Sequence, residues 1–541
     1  MTSTLLPGLE IEPVRLTPAT TDRRADVACF IGFVDVASAW SRVLPPSRRP
    51  EIFADVGRWL RDQGWIDAPG SGTDPAVDAR QAQAYELLHV PIPCHSFGEF
   101  EALFDADGRQ GPDPAESTPP YLAAAVQAFF FQGGRRCFVI RAGDALPWRL
   151  DTATANTALQ ALIPPRATPE RDPQDRERWQ GIGHLHGLDE AVMLVLPDLP
   201  HLVAQSLEPT VVPPVPVVPN AAFGPCQQDS LIEDEPLPPP LVAPRCIDEV
   251  GYQNWAQQIH NVADFLAEHR RDVQLLATIP LAADDAAAQV DLWGTLLRAG
   301  ILAAREGSTL GISSAFVQLT HPWLRSAWSN RLPERWAPSD AAVAGALARH
   351  TLLNGAFNSA IRTPMEGVFD LNPRVSAAER TRKRPMTSPT ELDTRALAQR
   401  VTLIGRASAG RPVELLSDVT TSIDERYRPA GANRLMSIWV RALLRAGREF
   451  VFEPSNEQTW ARIRQRVRDI GLSLVGQGAL AGRRPSDGFQ VRCDRSTTTQ
   501  ADIDRGRIRA EVVYQPNLPV ESIRIQLDLA GGGTRVDGGP E

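Results

Sequence analysis

The sequence lacks the features that mark several large classes of protein. No run of about 18 apolar residues occurs, so no segment is a candidate transmembrane helix. Residues 1–13 have no basic stretch followed by an apolar core and do not resemble a secretory signal. Basic residues are not in excess, because 56 lysines and arginines stand against 65 acidic residues, a formal net charge of −9. A dedicated nucleic-acid-binding protein would show the opposite balance.

Paired metal-binding and nucleotide-binding motifs are also missing. None of the six cysteines belongs to a CxxC pair, which argues against zinc-ribbon and thioredoxin-like sites. Cys29 and Cys137 lie in apolar runs, so we expect buried, reduced thiols and folding in the cytoplasm. His184 and His186 form an HxH pair without an evident third ligand, and a solvated loop is favoured over a zinc site. The phosphate-binding pattern GxxxxGK does not occur, and we predict no metal and no cofactor.

What the sequence does contain is the pattern of a large α/β protein. At roughly 100–200 residues per domain, its 541 residues predict about three domains. The apolar run 26–34 is typical of a buried strand. Residues 121–131 predict a buried helix, which Gly133 ends before a strand at 136–141. Further strands are predicted at 191–196 and 273–279, and further helices at 52–63, 96–104, 260–270 and within 339–360.

A proline-rich stretch interrupts this pattern. Eleven prolines lie within residues 209–244, where they cannot donate to a β-ladder or continue a helix. We expect a solvent-exposed insertion there, with a linker or decoration favoured over a PxxP-type ligand.

The last third of the chain has an α+β pattern. A helix over 433–445 ended by Gly447 is followed by a short strand at 449–453 and a second helix over 454–471. Ser455 and Gln458 predict a capping box for the second helix. Strands are predicted at 489–493, 508–514 and 520–529.

Both chain ends alternate like strands that lack an obvious hairpin partner. The alternating residues are Leu9, Ile11, Val14 and Leu16 at one end and Ile523, Ile525, Leu527 and Leu529 at the other. Exposed edge strands invite pairing. These ends therefore either pair with each other or add to the sheet of a neighbouring molecule.

Together these segments resemble the contractile tail sheath family of phage tails, R-type pyocins and extracellular contractile injection systems. The most specific stretch is YLAAAVQAFFFQGGRRCFVIR at 121–141. The similar segments elsewhere are PGLEIEPV at 7–14, RADVACFIGF at 24–33, VPIPCHSFGEFEALFD at 90–105, APSDAAVAGALAR at 337–349 and GANRLMSIWVRALLRAGREFVFEPSNEQTWARIR at 431–464.

The resemblance implies a multidomain α/β and α+β fold. An inner α+β domain would be built from both chain ends, namely an N-terminal arm at 1–25 and residues 390–541, which end in a C-terminal strand arm. An outer, subtilisin-like α/β domain would span 26–375, with insertions at about 41–88 and 205–246. The eight alternating residues at the two ends would then form strand arms between subunits.

The resemblance also implies a structural protein and not an enzyme. The subunit would bind copies of itself in hexameric rings stacked into a helical sheath, an inner tube protein, and baseplate and terminal cap proteins, with no nucleic acid and no direct membrane insertion. The sheath would assemble in the bacterial cytoplasm as part of a phage tail or phage tail-like particle and would contract to drive the tube through a membrane.

A helix in the last third suggests how the tube is held. Trp460, Ile463, Val467 and Ile470 share one face of this helix, and arginines project from its other sides. We predict that Arg462, Arg466 and Arg468 contact an acidic stripe on the tube; the alternative is a solvated helix face.

Two other functions remain open at this stage. A subtilisin-like hydrolase would need a catalytic triad, which the strings GHLHGLD at 183–189 and GST at 307–309 imitate poorly. A non-contracting baseplate or scaffold relative with the same fold would differ in the length of its self-assembled polymer.

Overall fold

The computed structural model describes residues 24–37, 51–65, 84, 86–110, 117–205, 242–283, 292, 294, 296, 301–302, 311–381, 396–408, 410–450, 453–454, 456–482, 485–504, 508–517, 524–530 and 533–539. The strands are β1 Ala28–Phe33, β2 Asp35–Val36, β3 Pro91–Cys94, β4 Phe104–Asp105, β5 Arg109–Gln110, β6 Ser117–Thr118, β7 Cys137–Gly143, β8 Met193–Val195, β9 Arg245–Cys246, β10 Gln274–Thr278, β11 Leu281–Ala282, β12 Val317–His321, β13 Trp323–Ser326, β14 Val368–Asn372, β15 Thr402–Gly405, β16 Glu414–Leu415, β17 Phe489–Arg492, β18 Glu511–Tyr514, β19 Arg524–Ala530 and β20 Gly533–Gly539. The α-helices are α1 Glu51–Asp62, α2 Phe97–Leu103, α3 Tyr121–Phe131, α4 Thr152–Leu162, α5 Leu199–Leu202, α6 Glu249–His269, α7 Asp340–Asn354, α8 Ala377–Thr381, α9 Ala430–Glu449, α10 Glu457–Gly476, α11 Pro485–Gly488 and α12 Gln500–Asp504.

An eight-stranded sheet organises the first three-quarters of the chain. Its order is β16-β15-β12-β10-β8-β1-β7-β3. The six inner strands are parallel, and the two outermost pairs are antiparallel. Since β1 lies between β7 and β8, the chain builds the sheet outward in two directions from its first strand, as in doubly wound folds.

Helices cover both faces of this sheet. Ala28 and Phe30 belong to one apolar core with α3 and α7, whereas Cys29 and Ile31 belong to a second core with α4 and α6. Successive side chains of a strand point to opposite faces, so the continuous apolar run 26–34 supplies both cores. Small residues in α7 let it approach α3 closely: a Cβ on Gly345 would clash with the Phe129 carbonyl.

The large sheet ends in strands that are poor templates for further pairing. On one edge, β3 carries Pro91 and Pro93, which have no N–H, and the Pro91 carbonyl accepts a hydrogen bond from the Trp59 indole at 2.9 Å. On the other edge, the backbone of residues 362–365 hydrogen bonds to β16 and its neighbours: the Arg362 N–H donates to the Leu415 carbonyl at 2.8 Å. Both edges are therefore blocked within the described chain.

A smaller α+β unit follows at the C-terminal end. In it, α9 and α10 pack against each other and against the antiparallel pair β17–β18. Trp439 of α9 stacks on Tyr514 with ring centroids 5.7 Å apart and contacts Phe489 at 6.1 Å. Leu435 and Ile438 of this unit, like Trp439 and Phe489, belong to the same apolar core as α3 and α7, so the unit packs against that core.

Several sequence expectations about local structure hold. The structure has the predicted strands β1, β7, β8 and β10 and the predicted helices α1, α3, α7 and α10. The helix predicted at 96–104 is present as α2 and is capped by Ser96, whose Oγ accepts from the Glu99 N–H at 3.2 Å. The Glu99 carboxylate in turn accepts from the His95 N–H at 2.7 Å.

Other local predictions are wrong. The α9 helix continues through Gly447 to Glu449, so Glu449 is helical and not the start of a strand; residues 451–452 lie outside the described chain. The cap of α10 is Asn456, whose Oδ1 accepts from the Thr459 N–H at 2.9 Å, and not Ser455. Both errors are errors of one or two residues at helix ends, which are the least certain part of a helix prediction.

The structure also bears on the predicted domain limits. Strands β15 and β16 follow the expected boundary near 390, yet they complete the same sheet as β1. Part of the predicted insertion 41–88 belongs to the core, since α1 buries Val56 and Leu60 and Trp59 contacts Phe138. The strand pairing that decides the first point and the helix packing that decides the second both join residues far apart in the sequence. The division into inner and outer domains itself stays a prediction.

Candidate assembly surfaces

Helix α10 has an apolar inner face and a basic outer surface. Trp460 and Val467 are buried, and Ile463 and Ile470 pack against the core, which matches the predicted face. Gly471 lies on the same side, where a Cβ would clash with the Phe489 ring, so only glycine lets α10 approach β17 this closely.

The three predicted tube-contacting arginines are exposed but do not form a single cluster. Arg462 pairs with Glu453 at 2.7 Å, and Arg466 pairs with Glu449 at 2.8 Å at the end of α9. At 100° per residue, Arg468 lies on the opposite flank of α10 from these two. Within the described chain Arg468 has no salt-bridge partner.

The two ion pairs on α10 are weak enough to exchange. Arg462 is 56% exposed and Arg466 is 45% exposed. Exposed pairs of this kind contribute about 0–1 kcal/mol. A carboxylate on another protein could therefore replace Glu453 or Glu449 at little cost.

Two-stranded sheets in the last part of the chain leave strand edges open. In the pair β17–β18 the register joins Gln490 to Val513 and Val491 to Val512. Phe489 and Tyr514 turn inward toward Trp439, whereas Val513 is 58% exposed. The described residues place no third strand beside either member of the pair. Its edges offer unpaired backbone donors and acceptors.

The predicted C-terminal strand arm has a partner within its own chain. Ile525, Leu527 and Leu529 lie on β19, which pairs antiparallel with β20 from Arg524–Gly539 to Ala530–Gly533. The expectation of a strand without a hairpin partner is therefore wrong, because β20 follows β19 along the chain and pairs with it over its whole length. Ile523 and the N-terminal residues Leu9, Ile11, Val14 and Leu16 lie outside the described residues.

A buried ion pair joins the C-terminal unit to the large sheet. Arg434 of α9 donates two hydrogen bonds to Asp418, at 3.0 and 2.6 Å, and others to the carbonyls of Ala356 and Asn358. Asp418 also accepts from the Ala360 N–H at 2.8 Å. Sequence analysis missed this joint, because one arginine in a helix and one aspartate in a loop give no local signal.

The Asp418 carboxyl is ionised in this joint. Burial opposes ionisation, but the Arg434 charge and the hydrogen bonds outweigh it and hold the pKa of Asp418 below its ordinary value. The pair thus fixes α9 on the rest of the molecule with both charges compensated.

The histidines of the HxH pair do not form a metal site or a catalytic base. His184 is buried in a 3₁₀ helix over Gly181–Gly187, against Trp65, Trp179 and His89. His186 instead contacts the Arg171 carbonyl at 3.2 Å. Burial lowers the pKa of His184 to about 3. The predicted solvated loop is wrong for His184, and the string GST at 307–309 lies outside the described residues.

Two further features are absent from the described residues. None of their helices is both long and apolar enough to cross a membrane. Nor do their histidines, cysteines and carboxylates include a cluster of three or more placed to hold a metal ion.

Comparison with solved structures matches nearly the whole chain. The anti-feeding prophage baseplate in its contracted state aligns with a TM-score of 0.57 and 18% identity, over 98% of this chain and 100% of that one. The anti-feeding prophage helical sheath in its contracted state gives 0.51 and 18%, over 98% and 100%. The contracted PVC sheath complex, from an extracellular contractile injection system, gives 0.53 and 15%, over 98% and 99%.

The chain has the contractile sheath fold. Because the alignments cover the matched chains almost completely, the sheath fold here includes both the large sheet and the C-terminal unit. Comparisons with protein-family models and with curated proteins found no match. The likeness therefore comes from three-dimensional structure, at a level of identity where sequence comparison alone gives little.

Proposed function

We propose that this protein is the structural subunit of a contractile sheath that polymerises helically around an inner tube and contracts to drive the tube through a target membrane. The observation that carries the proposal is the near-complete match to sheath and baseplate assemblies of two contractile particles in their contracted state. We place the assembled particle in the class of phage tails and phage tail-like injection systems, built in the bacterial cytoplasm.

The strand edges of the molecule support polymerisation through one part of the chain. Both edges of the large sheet are blocked by prolines or by packed backbone, whereas the pairs β17–β18 and β19–β20 have open edges in the described structure. A head-to-tail contact that does not close produces a long polymer. We propose that the arm 1–25, with Leu9, Ile11, Val14 and Leu16, and the segment with Ile523, Ile525, Leu527 and Leu529 add strands to a neighbouring subunit.

Such strand addition suits a sheath that changes length. Main-chain hydrogen bonds link neighbours regardless of the side chains around them. They can persist while rigid subunits rotate and repack their other surfaces. We assign the inner position to the arm and the C-terminal unit, and the outer position to the α/β layers, with hexameric rings as the repeating element.

Electron microscopy of the purified full chain tests the proposal. We expect long hollow tubes from the full chain at high concentration, or in the presence of its tube protein, and none from a chain that lacks residues 1–23. As a matched control, residues 206–241 are replaced by a short glycine-serine linker. The ends of this excision lie together, because the Gln205 N–H donates to the Arg245 carbonyl at 3.0 Å. Tubes that form without the arm would contradict the strand-exchange linkage.

The tube contact is tested separately. We propose that Arg462, Arg466 and Arg468 bind carboxylates on the tube, and we expect Arg462→Glu with Arg468→Glu to abolish assembly on the tube. Arg166→Glu with Arg374→Glu serves as the charge-matched control, since both arginines are exposed and lie outside the C-terminal unit. Unchanged co-assembly of the double variant would refute the contact.

A non-contracting baseplate or scaffold role is the second candidate. It is favoured by the matches to anti-feeding prophage baseplate structures, one of which has a TM-score of 0.57. The two roles differ in polymer length: a scaffold would stop at one ring or a few, whereas a sheath continues for the length of its tube.

A further inference from the structure

Two cysteines lie directly opposite each other on neighbouring strands. In the antiparallel pair β3–β7, the register places Cys94 against Cys137. Both side chains are fully buried and belong to the same apolar core, so they project from the same face of the sheet. Both are reduced in this structure.

The distance between the strands suits a covalent bond. Directly opposed residues of antiparallel strands have Cα atoms about 4.5–5.5 Å apart, and disulfides need roughly 4.4–6.8 Å. The other described cysteines are placed differently; Cys29, for example, lies opposite Phe138 and faces the second core.

We propose that Cys94 and Cys137 form a cross-strand disulfide when the folded protein meets an oxidising small-molecule disulfide such as oxidised glutathione. One thiolate attacks the glutathione disulfide, forms a mixed disulfide and releases one glutathione thiolate. The second cysteine thiolate attacks the protein sulfur of that mixed disulfide and releases the second glutathione. The two protein thiols lose two electrons and two protons, and one oxidised glutathione becomes two reduced glutathiones.

The position of the pair determines how fast it reacts. Burial, together with the hydrogen bond from Cys94, raises the pKa of the Cys137 thiol well above its ordinary value, so the closed fold is unreactive. Cys94 lies on the edge strand β3, in which Pro91 and Pro93 cannot donate hydrogen bonds, and Cys137 lies on the neighbouring strand β7. Local opening of this short strand would expose both thiols without global unfolding.

The redox conditions around the protein would determine whether this disulfide forms. The thiols stay reduced in a cytoplasm that keeps thiols reduced, and they oxidise after release into an oxidising medium. The bond would fasten β3 and the following helix α2 to the centre of the sheet. This inference rests on the strand register and does not depend on the sheath function.

Thiol counting and peptide mapping of the full chain test the proposal. Reduced protein is incubated under native conditions with excess oxidised glutathione, its remaining thiols are blocked, and it is digested with trypsin without reduction. We expect two of the six thiols to disappear, with the tryptic peptides 81–109 and 137–141 joined. Oxidation should be slow, and its rate should become independent of glutathione concentration when strand opening limits it.

Two variants separate this pair from other thiol chemistry. Cys94→Ser should abolish the linked peptide, whereas the matched control Cys246→Ser should leave it unchanged. The oxidised wild type should also show a higher thermal unfolding midpoint that a reductant reverses. Six remaining thiols, a stable mixed disulfide at either residue, or a linkage between other cysteines would each overturn the proposal. Mapping the wild type keeps the test valid if Cys94→Ser does not fold.

Discussion

At the scale of single residues, the buried carboxylate of Asp418 contacts three separate parts of the chain. Asp418 has no solvent exposure and holds together a helix, a loop and a strand: Arg434 and the Ala360 N–H donate to it, and the Gln318 side chain donates to it at 3.2 Å. A buried charge without its partner is costly. The Asp418–Arg434 pair therefore contributes strongly to the joint between the C-terminal unit and the sheet, beside the apolar core that the two parts share.

Neutralising Asp418 should loosen that joint. We expect Asp418→Asn to lower the free energy of unfolding by about 3–5 kcal/mol, because it leaves the Arg434 charge buried and unpaired. Urea unfolding of the variant and the wild type measures the difference. As a matched control, Asp424→Asn disrupts an exposed pair with Arg426 and should change stability by less than about 1 kcal/mol. Equal effects of the two changes would contradict this role.

The same pair contributes to acid sensitivity at low pH. The folded pKa of Asp418 lies below its unfolded value, so its contribution is complete above about pH 4 and is lost as the pH falls through the folded pKa. The dependence of stability on pH below about 4 should therefore be weaker in Asp418→Asn than in the wild type.

Buried histidines act in a higher pH range. Burial first, and then the nearby His89 and Arg176 charges, lower the pKa of His184 to about 3. Burial and the Arg141 charge lower the pKa of His89 to about 4. In the unfolded chain these histidines bind protons near pH 6.5, whereas in the folded protein they stay neutral until a lower pH. The free energy of unfolding therefore falls as the pH decreases from about 6.5 toward 4.

Replacing His184 should reduce this acid dependence. We expect the slope of unfolding free energy against pH between about 6.5 and 4 to fall by about 1.4 kcal/mol per pH unit in His184→Phe, the contribution of one proton. Urea unfolding at several pH values measures the slope. The exposed His95→Ala is the control and should keep the wild-type slope; a similar loss in both variants would contradict the assignment to His184.

At the scale of elements, glycines in two neighbouring helices have opposite roles. Gly471 of α10 faces the Phe489 ring so closely that a Cβ would clash with it, whereas Gly447 of α9 is exposed with open space around it. Both glycines are helical, so each costs backbone entropy. Only Gly471 has a packing reason to remain glycine.

Alanine substitution should separate the two glycines. Gly471→Ala should destabilise the protein by about 1–3 kcal/mol through overpacking against β17. Gly447→Ala should stabilise it by about 0.5–1 kcal/mol through helix propensity. Thermal or urea unfolding measures both. A stabilising Gly471→Ala would mean that α10 and β17 can separate without loss.

At the scale of the whole molecule, the large sheet and the C-terminal strand pairs differ in whether their edge strands are covered. The large sheet is finished at both edges, whereas the two-stranded sheets near the C-terminus have open edges in the described structure. The pair β19–β20 hydrogen bonds within itself and joins no other described sheet. If these edges pair with neighbouring subunits as proposed, assembly should depend on the C-terminal strands more than the folding of the subunit does.

A chain truncated after residue 517 tests whether the last strands are needed for assembly but not for folding. Without residues 518–541, we expect the thermal unfolding midpoint to change by less than a few degrees, because β19–β20 adds no strand to the described core. Long polymers should be lost. Calorimetry and electron microscopy on the same preparation measure the two effects. A large fall in the midpoint would show that β19–β20 contributes to the fold of the subunit.

Sequence patterns by themselves determined the elements whose signal is local. The strands β1, β7, β8 and β10 and the buried helix α3 follow from continuous apolar runs, and the apolar face of α10 follows from a period of 3.6 residues. The resemblance to sheath proteins rests on the same local segments, which is why it agrees with the fold that structural comparison finds.

Only the tertiary structure determined the strands and contacts that depend on residues distant in the sequence. Strands β12 and β15 escaped prediction because they carry polar residues such as Gln318 and Thr402, which are acceptable in a core only once they hydrogen bond to each other, here at 2.8 Å. Three other features also depend on contacts between separate segments. They are the Asp418–Arg434 ion pair, the pairing of Cys94 with Cys137, and the pairing of β19 with β20. The periodicity of a segment shows which face of a helix or strand a residue lies on, whereas the tertiary fold determines which distant residues it contacts on that face.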